Sequence, residues 1–390
     1  MEYIKLKDLC EKEERFVAPN DDAHIDYVDI SSVDNKSKSL TKYDTYIFAE
    51  APSRARKRVK HGDVIVSTVR PNLNAVARFN IQTPHTPIAS TGFCVLRHKS
   101  DVDPIYIYFF CISPNFVRQM VAKATGASYP AVSDTIVREA KLPKHTAEKR
   151  VRIVLALSKA KEIIEHRRDQ LAKLDELVKC RFVELFGDAK NNPYGWVSET
   201  VDSVTEEIIG GVCVSGESRK IQKGELAVLK VSAVTYGVFK CDEYKVISND
   251  IKLGKYVSPK KGDLLFSRAN TKELVGATAL VDKDYPHLLL PDKIWKIVVS
   301  DKVSPVYLKA YLSEPWIREL MSKVATGTSG SMYNISMEKL RQIPVILPPI
   351  ERQNAFASFV SRIDKLRVAV QASLDKTQQL FDSLMQEYFG

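Results

Sequence analysis

The chain has 390 residues, with 58 Lys and Arg against 48 Asp and Glu for a net charge of +10, and 44% of its residues are hydrophobic. At roughly 150 residues per domain, that length predicts two or three domains. The supply of apolar side chains excludes disordered, collagenous and low-complexity chains and predicts a soluble globular one.

The first residues, MEYIKLKDLCEKEE, contain no apolar core of the kind a secretory signal needs. No apolar run approaches the roughly 18 residues of a membrane span. Cys10, Cys94, Cys111, Cys180, Cys213 and Cys241 are scattered without a Cys-x-x-Cys pair, which predicts reduced core thiols and a cytoplasmic location. Short β-rich runs separated by turn signals come first. Among them lies a concentrated basic run, Arg54, Arg56, Lys57, Arg58 and Lys60. Such a run can neutralise several phosphates and make binding salt-sensitive. It ends at the turn His61-Gly62-Asp63, which leads into Val64-Ile65-Val66-Ser67. Beyond that run stand Ser67, Arg70, Asn72 and Asn74, side chains able to read base edges: Arg bonds guanine in bidentate fashion, Asn adenine.

A helix is expected near 104–123, followed by a Thr-Gly loop, TGASYPAVS, in which Thr125, Gly126 and Ser128 let a phosphate approach closely and Tyr129 can stack. Leu142-Pro143 closes the globule with a short strand. From Ala147 to Phe186, Ile153, Leu157, Ala160, Ile164, Leu171, Leu174, Val178 and Leu185 recur three or four apart, as a coiled-coil seam does, with Arg167 interrupting it.

The plan then repeats at an offset of about 200 residues. Ile30–Val33 matches Val231–Val234, His61–Ser67 matches Lys261–Ser267, and Asp103–Tyr106 matches Ser304–Tyr307. Ala124–Gly126 matches Ala325–Gly327, and Leu142-Pro143 matches Ile343-Pro344. The second copy supplies Ser267, Arg268, Asn270 and Lys272 after its Gly-Asp turn, a helix near 305–324, and the loop TGTSGSMYNIS with Thr326, Gly327, Ser329 and Tyr333. Its own long helix, Ile350 to Phe389, carries Phe359, Ile363, Leu366, Val370, Leu380 and Leu384, interrupted by Ser373 and Thr377. About 40 residues at 1.5 Å each make a rod of roughly 60 Å, longer than one globule is wide. The two rods are therefore expected to pack antiparallel and hold two globules apart. This is an α+β chain: mixed α/β globules at 1–143 and 188–348, and long helices at 144–187 and 349–390.

Two related globules at fixed separation match the way DNA readers place modules on half-sites, and copies in one chain can diverge to read a non-palindromic site. Catalytic signatures are missing. Asn191-Asn192-Pro193-Tyr194 lacks the second proline and the Gly-rich loop of an amino-methyltransferase, and Pro291-Asp292 has no Glu-x-Lys after it. No Walker A or His-Glu-x-x-His motif occurs. The string Ile343-Pro344-Val345-Ile346-Leu347-Pro348-Pro349-Ile350-Glu351-Arg352-Gln353, the opening Leu185–Asp188 with Asn192–Trp196, and the duplicated plan resemble the specificity (S) subunits of type I restriction–modification enzymes over essentially the whole chain.

That resemblance implies a non-catalytic subunit binding double-stranded DNA, with each globule reading half of a bipartite asymmetric site. The helices would set the spacer and dock two modification (methyltransferase) subunits, which bring S-adenosylmethionine. A restriction subunit, driven by ATP with Mg2+, could join; this chain would bind no cofactor. The alternatives are a stand-alone DNA-binding regulator or a DNA-modifying enzyme of unfamiliar type.

Overall fold

The computed structural model describes residues 2–12, 14, 16–248, 250–251, 253–327 and 332–390. The chain divides into two compact units, Met1–Gln170 with Val370–Gly390, and Leu171–Ala369. Both are mixed α/β. Each takes one part of either long helix, α4 (Ala147–Phe186) and α8 (Ile350–Phe389).

In the first unit, Val64–Ser67 is the middle strand between Phe93–Leu96 and Val76–Arg78, antiparallel to both. In the second, Leu264–Ser267 lies between Ile294–Val299 and Thr278–Leu280 in the same way. All four residues of each middle strand are buried, which is why these runs are apolar without alternation. Four further strands form a sheet in the first unit, where His24–Val28 runs parallel to Thr86–Ser90. Its counterpart in the second has Ala227–Leu229 parallel to Leu288–Leu289.

The duplicated Gly-Asp turns have one construction. Gly62 and Gly262 take φ of +92° and +86°, a region that favours glycine. The Asp63 carboxylate accepts from the Lys60 amide at 2.8 Å and Asp263 from the Lys260 amide at 2.9 Å. Arg97 donates to both oxygens of Asp63, at 3.0 and 2.7 Å, while Lys296 meets Asp263 at 2.8 Å.

The helices expected near 104–123 and 305–324 are each two. In the first unit α1 (Pro104–Ile112) stops and α2 (Pro114–Lys123) begins; in the second, α5 (Pro305–Leu312) gives way to α6 (Pro315–Val324). A proline pushes its predecessor out of the helical region, and Ser113 and Glu314 are extended, at ψ of 149° and 139°. Ser113 Oγ then caps the new helix, accepting from the Phe116 amide at 3.1 Å. The short helices α3 (Asp134–Arg138) and α7 (Met337–Arg341) follow the two Thr-Gly loops.

Each core takes in both long helices. In the first unit, Ile153, Val154 and Leu157 of α4 and Met385 and Phe389 of α8 join Tyr106, Phe110 and Phe116. In the second, Phe182 and Phe186 of α4 and Phe356 of α8 surround Tyr307. There the helices run antiparallel: Arg367 pairs with Asp175 at 2.6 Å, and Arg181 lies over Phe359 at 5.8 Å. Arg352 reaches the Leu185 carbonyl.

The α4 seam is buried or half-buried as its spacing predicts. On α8, Leu366 and Leu380 are exposed at 54% each and leave the expected seam. The covered stripe keeps a strict seven-residue repeat: Phe356 and Ile363 are buried, and Val370 and Thr377 are half-buried, the Thr377 hydroxyl bonding the Ser373 carbonyl at 2.8 Å. All six cysteines are free; Cys10, Cys94 and Cys111 are buried, but Cys180, Cys213 and Cys241 are exposed, two of them in loops and one on the outer side of α4, rather than in a core. Among the described residues no helix is long and apolar enough to cross a membrane.

Phe389 is fully buried, with ring centroids 5.4 Å from Tyr106 and 5.9 Å from Phe110. Truncating such an aromatic costs about 3–5 kcal/mol. Phe389→Ala is expected to cost that much in urea unfolding of the first unit, whereas Leu380→Ala should stay within about 0.5 kcal/mol.

Candidate nucleic-acid interface

The two candidate loops of each copy, far apart in sequence, meet in space. In the first unit Val69 bridges Ala131, and Ala131 exchanges backbone hydrogen bonds with Thr125 at 2.9 and 3.0 Å. In the second, Ala269–Asn270 pairs with Tyr333–Asn334, and Asn334 exchanges bonds with Thr326 at 2.8 and 2.9 Å. The segment leaving the middle strand and the Thr-Gly loop thus form one surface.

Arg70 carries the first of these surfaces. Its backbone is left-handed, φ +50°, and its amide donates to the Pro130 carbonyl at 2.7 Å. Its guanidinium lies 4.6 Å over the ring of Tyr129, which is 67% exposed. A non-glycine residue held at positive φ costs about 1 kcal/mol or more and persists only where its surroundings enforce it. Asn74, three residues past the turn's proline, is also left-handed at φ +48°. Asn72 is exposed beside it.

In the second unit Arg268 donates from Nε to the Asp292 carbonyl at 2.9 Å and lies 5.7 Å over Trp295. Asn270 donates to Thr235 at 3.1 Å, and Lys272 is exposed. Thr326 and Gly327 are exposed, and Tyr333 is half-buried. Ser329 lies outside the described residues.

Ser67 and Ser267 do not join this surface. Both are buried, and their hydroxyls donate to the Val69 and Ala269 carbonyls at 3.0 and 3.3 Å. They hold the exit from the middle strand, which the alternation of a short strand could not reveal.

The basic run is less free than its sequence suggests. It forms the strand Ala55–Arg58, with Ala55 buried and Lys57 half-buried on one face. Lys57 is ion-paired with Asp134. Lys60 meets Glu14 at 2.8 Å, and Arg97 meets the same carboxylate at 2.7 Å. Hydrogen bonds from those two cations pull the Glu14 carboxyl down to about 2. Arg54, Arg56 and Arg58 are the exposed guanidiniums of the run, and Arg56 lies 5.4 Å from the ring centre of Phe48.

Sequence reasoning missed the loop after Val234. Asn270 binds Thr235, next to which Tyr236 stands 69% exposed with Lys240 Nζ 5.4 Å over its ring. An aromatic and a cation in a divergent loop leave no pattern to find. It missed Lys38 as well, whose Nζ donates to the Asn74 carbonyl at 2.6 Å and braces the first turn from beneath.

Residues 193–377 match the family model described as type I restriction modification DNA specificity domain. That match covers just under half of this chain. A type I restriction enzyme EcoEI specificity subunit of Escherichia coli is 30% identical over 162 residues, 40% of this chain and 27% of that protein. The EcoKI specificity subunit of the same species is 30% identical over 142 residues, 36% of this chain and 30% of that protein. The matches thus span under a third of the length of these relatives. Two solved structures share the fold over the full chain at a TM-score of 0.60. One, 22% identical and 97% covered, comes from work on complex assembly and conformational transition of the type I R-M system; the other, 12% identical and 96% covered, is an S subunit from M. genitalium.

In this fold the Thr-Gly loops owe their shape to glycine. Gly126 sits at φ +100°, and a Cβ there would approach the Tyr129 carbonyl oxygen to 2.9 Å. Gly126→Ala is expected to lower stability by about 1 kcal/mol or more and to release Tyr129 from Arg70. Thermal melting, with Tyr129 mobility followed by NMR, measures both. An unchanged melt would mean that the loop tolerates a side chain there.

Proposed function

We propose that this chain is the DNA sequence-recognition subunit of a type I restriction–modification system, with each unit reading one half of a bipartite, asymmetric site. One observation carries the reading. The same loop-against-loop surface occurs in both units on the same strand framework, yet its side chains differ, Arg70 and Tyr129 in one and Arg268, Asn270 and Tyr333 in the other. A repeated scaffold with divergent tips suits two readers of different base sequences. The exposed Arg54, Arg56 and Arg58 supply sequence-independent attraction to phosphates.

On this reading α4 and α8 set the spacing between half-sites and dock two modification subunits, a complex that a restriction subunit could then join. S-adenosylmethionine, ATP and Mg2+ belong to those partners. The chain contributes the address and leaves the chemistry to them.

The test is methylome sequencing of a host expressing the chain with its modification subunit, as wild type and as Arg70→Ala. Wild type should direct methyladenine to a split, asymmetric motif that disappears when the chain is deleted. A lost bidentate base contact is worth about 1–3 kcal/mol of discrimination. Arg70→Ala should therefore relax one half of the motif and leave the other intact. Relaxation of both halves, or of neither, would refute this assignment.

A further inference from the structure

The first unit contains a cleft of about 650 Å³ between α1, α4, the segment Ser37–Ser39 and the strand Val76–Arg78. Four cations line it: Lys38, Arg78, Lys161 and Arg168. Two are fixed by neutral partners. Lys161 Nζ donates to the Tyr108 hydroxyl at 2.5 Å, Tyr108 donates to the Lys38 carbonyl at 3.1 Å, and Lys38 Nζ donates to the Asn74 carbonyl. Neither of these bonds cancels a charge. The guanidiniums of Arg78 and Arg168 donate to no described residue.

Three carboxylates also line the cleft, and they compensate poorly. Glu165 comes no nearer than 3.8 Å to Lys161, Glu162 is bonded to Lys159 at 2.9 Å, and Asp169 is exposed. Burial pushes the Lys161 ammonium below its usual value; Glu165 works against that shift, and Arg78 and Arg168 add repulsion to it.

The second unit serves as an internal control. By the repeat register Lys309 stands where Tyr108 does, and Asp364 of α8 occupies the step that Lys161 occupies on α4, counted from each helix start. There the cations are answered. Arg367 pairs with both Asp364 and Asp175, and both carboxylates raise the affinity of Lys309 for its proton against the burial that lowers it. The same place in the fold is neutralised from within in one unit and left cationic in the other.

We propose that the cleft of the first unit is a binding site for a phosphate-class anion. Donors converge from a loop, a strand and a helix, which suits a tetrahedral phosphate group with oxygens in several directions better than a planar carboxylate. Two sources share this chemistry: a backbone phosphodiester of DNA and free phosphate. The DNA source rests on the proposed function; the free anion does not.

The full chain is tested as wild type, Lys161→Met and Arg168→Gln, with Arg362→Gln, an exposed α8 arginine outside the cleft, as the charge control. Melting in sodium phosphate is compared with sodium chloride of equal ionic strength, because phosphate also stabilises proteins by exclusion from their surfaces. A free-anion site predicts an extra phosphate-dependent rise in Tm for wild type and the control. The apparent phosphate affinity should fall roughly tenfold to a hundredfold in the cleft variants, the worth of one charge-assisted bond.

The salt dependence of binding to a non-specific duplex is measured in parallel. A DNA source predicts a slope lower by about one in each cleft variant beyond any change in the control. Arg168→Gln keeps the test valid should Lys161→Met, which removes the packing on Tyr108, fail to fold. Equal phosphate responses and equal slopes in all four proteins overturn the site. Wild type that binds no DNA overturns the recognition reading instead, and the phosphate melts still decide the cleft.

Discussion

The fold depends on two aromatic clusters, each set in a core that both long helices enter. In the second unit Phe186 packs edge-on against Tyr307 at 4.7 Å, with Phe182 at 5.8 Å and Phe356 within 5.7 Å of both phenylalanines. In the first, Phe389 fills the corresponding place against Tyr106 and Phe110, and Asn115 holds its carbonyl at 2.6 Å. The first cluster combines residues from the first third of the sequence with Phe389, more than 270 positions away. The first unit cannot complete its core from a contiguous stretch, because α8 begins in the second core and ends in the first, whereas the second core is drawn wholly from Leu171–Ala369. Such long-range closure is entropically costly until burial compensates it, and buried aromatic rings supply the largest compensation per residue.

The repeat keeps geometry and exchanges chemistry. Gln353 is fully buried, accepting from the Ser304 amide at 2.8 Å and donating to the Pro348 and Lys302 carbonyls at 2.8 and 3.2 Å, so its amide is fully used. At the same step of α4 stands Arg150, which reaches the Asp101 carbonyl at 3.3 Å, the counterpart of Lys302. The Gly-Asp turns show the same pattern, with Arg97 and Lys296 as alternative partners for one carboxylate. What the two units share is the position of a donor, and its identity is free to change. A scaffold that tolerates such exchange can carry loops whose side chains diverge without disturbing the strands beneath.

The sequence made the long helices and the duplicated turns legible because both rest on local rules: seven-residue spacing, and glycine where φ must be positive. It misplaced Leu366 and Leu380 because spacing of three or four allows two interleaved stripes, and only packing chooses between them. Here the choice fell on the stripe that begins at Phe356, a residue large enough to fill the second core. The breaks before Pro114 and Pro315 were written in the sequence but were masked by continuous apolar periodicity on either side. At the candidate interface the loops were recognisable singly. Their meeting, the burial of Ser67 and Ser267, and the support from Lys38 depend on contacts between residues tens of positions apart, and no local pattern encodes those.

The placement of charge separates holding from reading. In the basic run, Lys57 and Lys60 are bound to Asp134 and Glu14, so the solvent-facing positive charge narrows to Arg56 and Arg58 on one strand and Arg54 in the turn before it. Arginines fixed on a strand can follow a phosphate backbone at regular spacing, a role that carries no sequence information. Arg70 is held differently: its backbone is strained, its amide is anchored to the opposite loop, and its side chain is laid flat on an exposed ring. Restraint of that kind lowers the entropy lost when a bidentate contact forms, and it narrows the set of partners that fit. Attraction can come from mobile charges, whereas discrimination needs rigid ones, and this chain keeps the two on different elements of the same unit.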